Sequence, residues 1–333
     1  MSELQINTSR PEDRRGLRPG SPLSALNVGL FRRFARQWRK LPPFKGKVRV
    51  AKELRKILGL DNHHILETIL LNDPVSYRAT LDLHSWHELL AFFDGGYEGD
   101  AVRFLARCYD RRGCFLDIGA NTGLIGLPFA SCIDPSNLAE SPFVFCIEAV
   151  RSNFERLVHN IQLNERKRSI VAIAAGVGER EKTVEIQVEG NLKDGEGTGT
   201  ASILSEGTNH PCETIALTIT TLDKLCETGK IPDRCSLIKI DVDGYDFFVL
   251  QGARKLLSFS RPIIFGEFSS HCLAWHGHSH TEIADYVKRF DYHVFSRSTE
   301  AWKFIPIDEH KTDQDLLLVP KEKIVNLHSY CQL

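Results

Sequence analysis

"CFLDIGANTGLIGLPFA" (Cys114–Ala130) is the stretch from which the rest of the chain is read. A short apolar run bounded by a glycine turn reads as a buried strand, and the apolar stretch beyond the turn reads as a helix. In an open α/β sheet such a turn sits at the carboxyl end of a strand, where ligands bind. Glycine there lets backbone come close to the ligand. Two common ligands find no match. A dinucleotide fingerprint needs G-x-G-x-x-G, and Asn121 stands where its second glycine belongs; a P-loop needs Lys followed by Ser or Thr. No Lys or Arg occurs from Cys114 to Val150, while Asp117 and Glu148 each lie near the end of an apolar run. The site is therefore unsuited to a polyanion and suited to a ligand with a positive centre and a free ribose.

S-adenosyl-L-methionine has both properties. Glu148, ending the second strand, is placed to accept from the ribose hydroxyls, as acids do in dinucleotide folds. Asp117 and the backbone of Gly119, Ala120, Asn121 and Gly123 are expected to face the methionine end, with Ala149 beside Glu148 on the same wall. A helix-cap carboxylate is the plainer alternative for Asp117.

Outward from the turn, strands and helices alternate. "FVFCIEAV" reads as the second strand, followed by a helix with a Ser152/Glu155 capping box and an apolar face of Phe154, Leu157, Val158 and Ile161. "IVAIAAGVG", "SLIKIDVDG" and "RPIIFGEF" follow as strands, and "KTVEIQVE" alternates as a hairpin partner. "YDFFVLQGARKLLS" reads as one helix, and Ser279 with Glu282 caps another. "YHVFS", "WKFIPI" and "DLLLVP" supply late strands. The pattern predicts an α/β fold: a doubly wound, mostly parallel sheet with helices on both faces. The glycine-rich segment 190–213 interrupts it, as a binding lid or as a disordered segment.

The blocks "FLDIGANTGLIG", "IEAVRSNFERLVHNIQLN", "TTLDKL", "LIKIDVDGYDFFVLQGA" and "RPIIFGEF" resemble, in that order, the FkbM family of S-adenosylmethionine-dependent methyltransferases. The resemblance covers roughly residues 95–320. It implies a class I methyltransferase (Rossmann-like) fold, and methyl transfer to hydroxyl oxygen on sugars, polyketides or lipids. The family pattern D-V-E-G-x-E appears here with Asp243 and Asp246 in place of the glutamates, shorter acids that keep the charge and lose reach.

Methyl transfer is an in-line displacement at an activated carbon, so the protein must align the acceptor and remove its proton. Lys239, Asp241 and Asp243 share one face of a regular strand. Asp241, expected to contact the cofactor near the methyl donor as well as the acceptor, is the first candidate for the base, Asp243 the second, and Lys239 the ion-pair partner that orients them; a structural salt bridge is the alternative for Lys239. Glu267 and Ser202 are expected to contact the acceptor. His271 is the histidine nearest the sheet edge and a further candidate base. With His276, His278 and His280 it forms a cluster whose irregular spacing argues against a metal site. A nicotinamide enzyme on a similar fold and a non-catalytic cofactor-binding module are the competing readings.

The nine cysteines are scattered without a C-x-x-C pair, the first twenty residues lack the apolar centre of a signal peptide, and no apolar run reaches membrane-span length. The expectation is a cytoplasmic protein. Net charge is −1, but fifteen Lys/Arg face four Asp/Glu through Lys56. Residues 1–22 are polar and proline-rich, and read as disordered. Beyond them Leu26, Leu30, Phe31, Phe34, Trp38 and Leu41 recur at helical spacing, with Arg32, Arg33, Arg36, Arg39 and Lys40 on the other face. Residues 24–41 are thus expected either to touch an anionic membrane at the inner face or to dock on their own domain or on a second subunit. No pattern points to specific nucleic-acid reading. The chain divides into a basic arm (1–45), a mixed lead-in (46–95), the methyltransferase domain (96–320) and a tail (321–333). The acceptor class is a small molecule, glycan or glycolipid.

Overall fold

The computed structural model describes residues 22–42, 44, 46–60, 63–134, 136, 138, 141–188, 201–203, 213–242, 244–297, 304–306 and 315–327. Helices α1 (Pro22–Arg39) and α2 (Lys47–Ile57) form an antiparallel pair. Asn27 Nδ2 donates to the Leu58 carbonyl at 2.9 Å and Trp38 Nε1 to the Lys47 carbonyl at 3.1 Å, tying opposite ends together. Of the apolar residues expected on the arm, Phe31 is fully buried and Phe34 and Trp38 pack against the same core, while Leu26, Leu30 and Leu41 stay exposed.

The other flank of α1 faces β1 (Leu66–Leu71), which pairs antiparallel with β2 (Tyr77–Asp82). Arg32 and Arg36 both pair with the buried Glu67, at 3.0 and 2.7 Å, and Arg39 Nη2 donates to the Leu70 carbonyl at 2.8 Å. Three of the five cations expected on a free basic face therefore hold the chain's own edge strand. α3 (Trp86–Asp94) and α4 (Gly99–Cys108) complete the lead-in.

Next come β3 (Cys114–Ile118), α5 (Gly126–Cys132), β4 (Val144–Glu148), α6 (Arg151–Gln162) and β5 (Ile170–Ala174). A second sheet follows, built from β6 (Gly176–Val177), β7 (Lys182–Val188), β8 (Ala201–Ile203) and β9 (Glu213–Thr220) in the order β6-β9-β7-β8. β7 is a hairpin partner as its alternation predicts, pairing antiparallel with β9 and β8. Most of the 190–213 segment lies outside the described residues. The main sheet resumes with α7 (Leu222–Glu227), β10 (Cys235–Ile240), α8 (Asp246–Gln251), β11 (Ile263–Gly266), α9 (Ser270–Trp275), α10 (His280–Lys288), β12 (Tyr292–Arg297), β13 (Phe304–Pro306) and β14 (Leu316–Pro320).

The main sheet runs β13-β12-β14-β11-β10-β3-β4-β5, parallel from β11 to β5 and antiparallel beyond. Every residue of β3, β4 and β10 is buried, because side-chain alternation feeds two cores. Phe115, Val144 and Leu237 pack with α5, α6 and the lead-in; Leu116, Phe145 and Ile238 pack with α7, α8 and α10. This is the doubly wound sheet the alternation predicts.

Two local expectations differ. α6 begins at Arg151 with Val150 as its N-cap, so Ser152 lies inside the helix and makes no capping box; Glu155 instead accepts from Arg151 Nε at 2.9 Å. The helix predicted from Tyr245 to Ser258 is broken after Gln251. A Cβ on Gly252 would lie 2.0 Å from the Gly178 carbonyl oxygen, so this turn is built for close backbone contact, and a π-turn spans Leu256–Ser260. The Ser279/Glu282 capping box is present on α10.

Candidate active site

Strand order reverses between β3 and β10, so the loops leaving these two strands lie side by side at their carboxyl ends. Gly119 has φ +72°, and a Cβ there would lie 1.9 Å from the Asp241 carbonyl oxygen. Only a glycine lets the two loops meet backbone to backbone. Asn121 adopts φ +49°, which turns its N–H onto Glu148 Oε2 at 2.8 Å. Glu148 Oε1 accepts the Val150 N–H at 2.8 Å. One carboxylate thus ties the loop after β3 to the loop after β4. Burial raises the pKa of Glu148, and the two backbone donors work against that rise.

These loops bound a cavity of about 180 Å³. Gly119, Ala120, Asn121, Glu148, Ala149, Lys239 and Asp241, all expected at the site, lie on its wall. Val150, Ala175, Val177 and Ile219 make one end apolar. Gly123 is not on the wall. At φ +90° its N–H closes the turn onto the Ala120 carbonyl, and a Cβ there would press on Leu157 and Leu127.

Asp117 corrects a larger expectation. It is wholly buried and does not line the cavity. It stands in register with Lys239, whose Nζ is 3.4 Å from Asp117 Oδ1, 3.2 Å from Asp241 Oδ2 and 3.2 Å from the Gly119 carbonyl oxygen. Neither Asp117 oxygen has a directed hydrogen bond among the described residues, so the contact is an ion pair. Alternation along β3 sends this side chain with Phe115 toward α5, away from the crevice. Burial raises the Asp117 pKa and the Lys239 ammonium opposes it. Burial would lower Lys239, but Asp241, Asp117 and Glu98 together raise it above its ordinary value. Lys239 is therefore a fixed cation between an inner and an outer carboxylate.

Asp241 is the half-exposed outer partner, its side chain 45% accessible. Glu98, Glu267 and Asp315 lie within electrostatic reach of it, each raised first by burial and then by Asp241 among its neighbours. Glu267 follows β11 and faces this acidic rim but not the cavity wall. Asp243 lies outside the described residues. Ser202 pairs with Gln187 across β8 and β7, and nothing is described of its side chain. His271 is exposed on α9, packs edge-on against Trp275 with centroids 4.9 Å apart, and does not line the cavity. His276 and His278 pack on Phe248, and His280 Nε2 lies 2.5 Å from the Phe268 carbonyl oxygen. Among the described residues no group of three or more His, Cys, Asp or Glu is arranged to hold a metal.

Further wall residues that the sequence reading missed are Ser85 and His87 from the lead-in and Tyr97 just beyond it. The His87 and Tyr97 rings meet edge-on at 5.7 Å. Burial, then Glu98 and Asp241, raise the Tyr97 hydroxyl above its ordinary range. Tyr97 lies in "FDGGYEGD", where an aromatic and an acid between glycines are the signal that could have found it.

The wall fits a cationic nucleoside. Asn121 Oδ1 is buried without a partner among the described residues. Lys239 is the single Lys or Arg among the described wall residues, and it is already paired.

The methyltransferase FkbM domain pattern matches residues 117–294, more than half of the chain. No curated protein matches it. Among solved structures, the methyltransferase FkbM from Methylobacillus flagellatus KT is similar at 15% identity and a TM-score of 0.39, over 88% of this chain and 59% of that one. The chain thus spans about three fifths of that protein's length. The O-methyltransferase from Bacillus cereus, in complex with SAH, is similar at 12% identity and a TM-score of 0.36, over 90% of this chain and 100% of that one. The O-methyltransferase TomG from Streptomyces achromogenes, involved in tomaymycin synthesis and in complex with SAM, is similar at 14% identity and a TM-score of 0.33, over 67% and 79%.

Proposed function

The chain belongs to the FkbM family of methyltransferases, and on that premise we propose that it methylates a hydroxyl oxygen on a sugar, a glycolipid or another secondary metabolite, using S-adenosyl-L-methionine. The observation that carries this reading is the meeting of Glu148, Asn121 and the Lys239–Asp241 pair on one wall where strand order reverses. When bound, the cofactor supplies a methyl carbon already activated by its sulfonium. The chain's own residues then have to hold, align and deprotonate.

Glu148 and Asn121 Oδ1 hold the ribose end, and the apolar end of the cavity takes the base. Asp241 accepts the hydroxyl proton on its carboxylate. Lys239, clamped from behind by Asp117, holds that carboxylate in place. Asp243 remains the second candidate base, and Glu267 and Ser202 remain candidate acceptor contacts. A dinucleotide is disfavoured because the one cation described on the wall is already paired with two carboxylates.

We take residues 96–320 as the catalytic unit, with the 46–95 lead-in lending Ser85 and His87 to its cavity and α1 packed on the shared core. Cys114 and Cys235 stand in register on adjacent strands and carry no disulfide, which supports a reducing cytoplasmic setting. No helix among the described residues is long and apolar enough to cross a membrane.

The test is incubation with methyl-labelled S-adenosylmethionine and extracts of small molecules, glycans and lipids, read by mass spectrometry. The expected product carries the label on oxygen, and Asp241→Asn lowers kcat about a hundred-fold with the cofactor's KM unchanged. Label on nitrogen or carbon contradicts the acceptor class. Tight cofactor binding without turnover on any extract supports the non-catalytic module instead.

A further inference from the structure

Twelve large hydrophobic side chains are exposed among the described residues, and six of them fall between Leu26 and Ile57, within the basic N-terminal part of the chain. The α1–α2 pair places them. The buried stripes are Phe31 and Ala35 on α1, and Ala51 and Arg55 on α2. The Asn27–Leu58 and Trp38–Lys47 bonds fix the antiparallel contact. Counting the helical turn from those stripes, Leu26 and Leu30 stand on the outward flank of α1 that turns toward α2. Val50 and Ile57 stand on the outward flank of α2 that turns toward α1. These four side chains, 43–79% accessible, line one solvent-facing seam, and Leu41 and Phe44 continue it at the connecting turn.

Cations rim this seam. Arg33, Lys40, Arg49 and Lys56 are exposed, and Glu53 is the one exposed acid on the two helices among the described residues. They are distinct from Arg32, Arg36 and Arg39, which hold Glu67 and the edge of β1. Aliphatic side chains between long cationic ones match the boundary of an anionic bilayer, where apolar groups enter the acyl region and Lys/Arg heads stay with the phosphates. We propose that the outer face of the α1–α2 pair is a docking surface for an anionic lipid bilayer, with the Leu26–Leu30–Val50–Ile57 seam as its apolar insertion. An RNA partner would use the cations but leave the aliphatic seam unexplained, since single-strand binders stack bases on aromatic side chains.

The test uses the full chain and flotation with two kinds of vesicle, phosphatidylcholine alone and phosphatidylcholine with phosphatidylserine. Binding needs neither cofactor nor acceptor, so its outcome is independent of the methyl-transfer reading. The expected result is partition into the serine-containing vesicles that exceeds the neutral ones by about tenfold and falls with salt. Leu30→Ser/Ile57→Ser should lower it by about tenfold more, with an unchanged melting temperature because both side chains are already exposed. Arg33→Glu/Lys56→Glu should abolish the preference for the anionic lipid. No partition, equal partition of the Ser variant, or a self-association that the Ser variant removes without any vesicle binding would each overturn the proposal.

Discussion

Lys239 reaches Asp117, Asp241 and the Gly119 carbonyl oxygen with one ammonium, from a position in register with Asp117. Removing one partner of a buried pair leaves the other charge uncompensated, at a cost of about 3–5 kcal/mol. Lys239→Met should therefore lower the unfolding free energy from denaturant titration by that amount, and adding Asp117→Asn should restore most of it. An equally unstable double variant would contradict the pairing. Asp246 makes a pH prediction. It is buried and accepts the Val242 and Gly244 N–H groups at 3.1 and 3.0 Å, and burial, then Asp241, push its pKa up to about 7. The folded state then binds more protons than the unfolded one between 3.8 and about 7. Stability should fall as pH rises through that window and level off above it. Asp246→Asn should flatten this slope in melts run across the window; parallel profiles would contradict it. At this scale the sequence showed residue types well and directions poorly. The absence of cations from 114 to 150 and the acid ending β4 were visible, and Glu148 lies on the wall. Asp117 was legible as an acid but not as one turned away from the crevice, because that depends on its partner in β10.

Asn160 on α6 and Asn164, just past its end, close the free edge of β2. Asn160 Oδ1 accepts the Thr80 N–H at 2.8 Å and its Nδ2 donates to the Thr122 carbonyl at 3.0 Å. Asn164 accepts the Arg78 N–H and donates to the Arg78 carbonyl, both at 2.8 Å. One helix thus links the β1–β2 hairpin to the turn that lines the cavity. Arg156 on the same helix pairs with the buried Glu88 of α3. Asn160→Ala should cost about 1–3 kcal/mol and speed hydrogen exchange at Thr80 before the main sheet is affected. Unchanged exchange at Thr80 would remove the clamp from the account. Strands were readable because alternation and glycine turns are local signals. The cap of α6 was not, since Ser152 matches a capping pattern while the actual entry is fixed by Glu148 holding Val150.

Taken as one molecule, the arm and the lead-in are part of the structure that holds the cavity. Phe31 and Ala35 share a hydrophobic cluster with Phe115 and Phe129 of the main sheet, and His87 and Tyr97 stand on the cavity wall. Deleting residues 1–45 should therefore lower the melting temperature, whereas deleting residues 1–21 should leave it unchanged. Equal stability of the two truncations would show the arm to be a free appendage. The sequence could pose this choice but not decide it, because the deciding contacts are distant: Arg36 to Glu67 spans 31 positions and Thr80 to Asn160 spans 80. The doubly wound, mostly parallel class of the sheet was implied by its alternation, while the second sheet of β6 to β9 was visible only as one hairpin. What the whole arrangement creates is a crevice with carboxylates at its mouth, an unpaired Asn121 oxygen inside and its cation already paired. Calorimetric titration of the full chain with S-adenosylmethionine and with NADH measures that directly. The account predicts saturable S-adenosylmethionine binding, weakened about tenfold or more by Glu148→Ala, and no heat from NADH. Saturable NADH binding with no response to S-adenosylmethionine would contradict it.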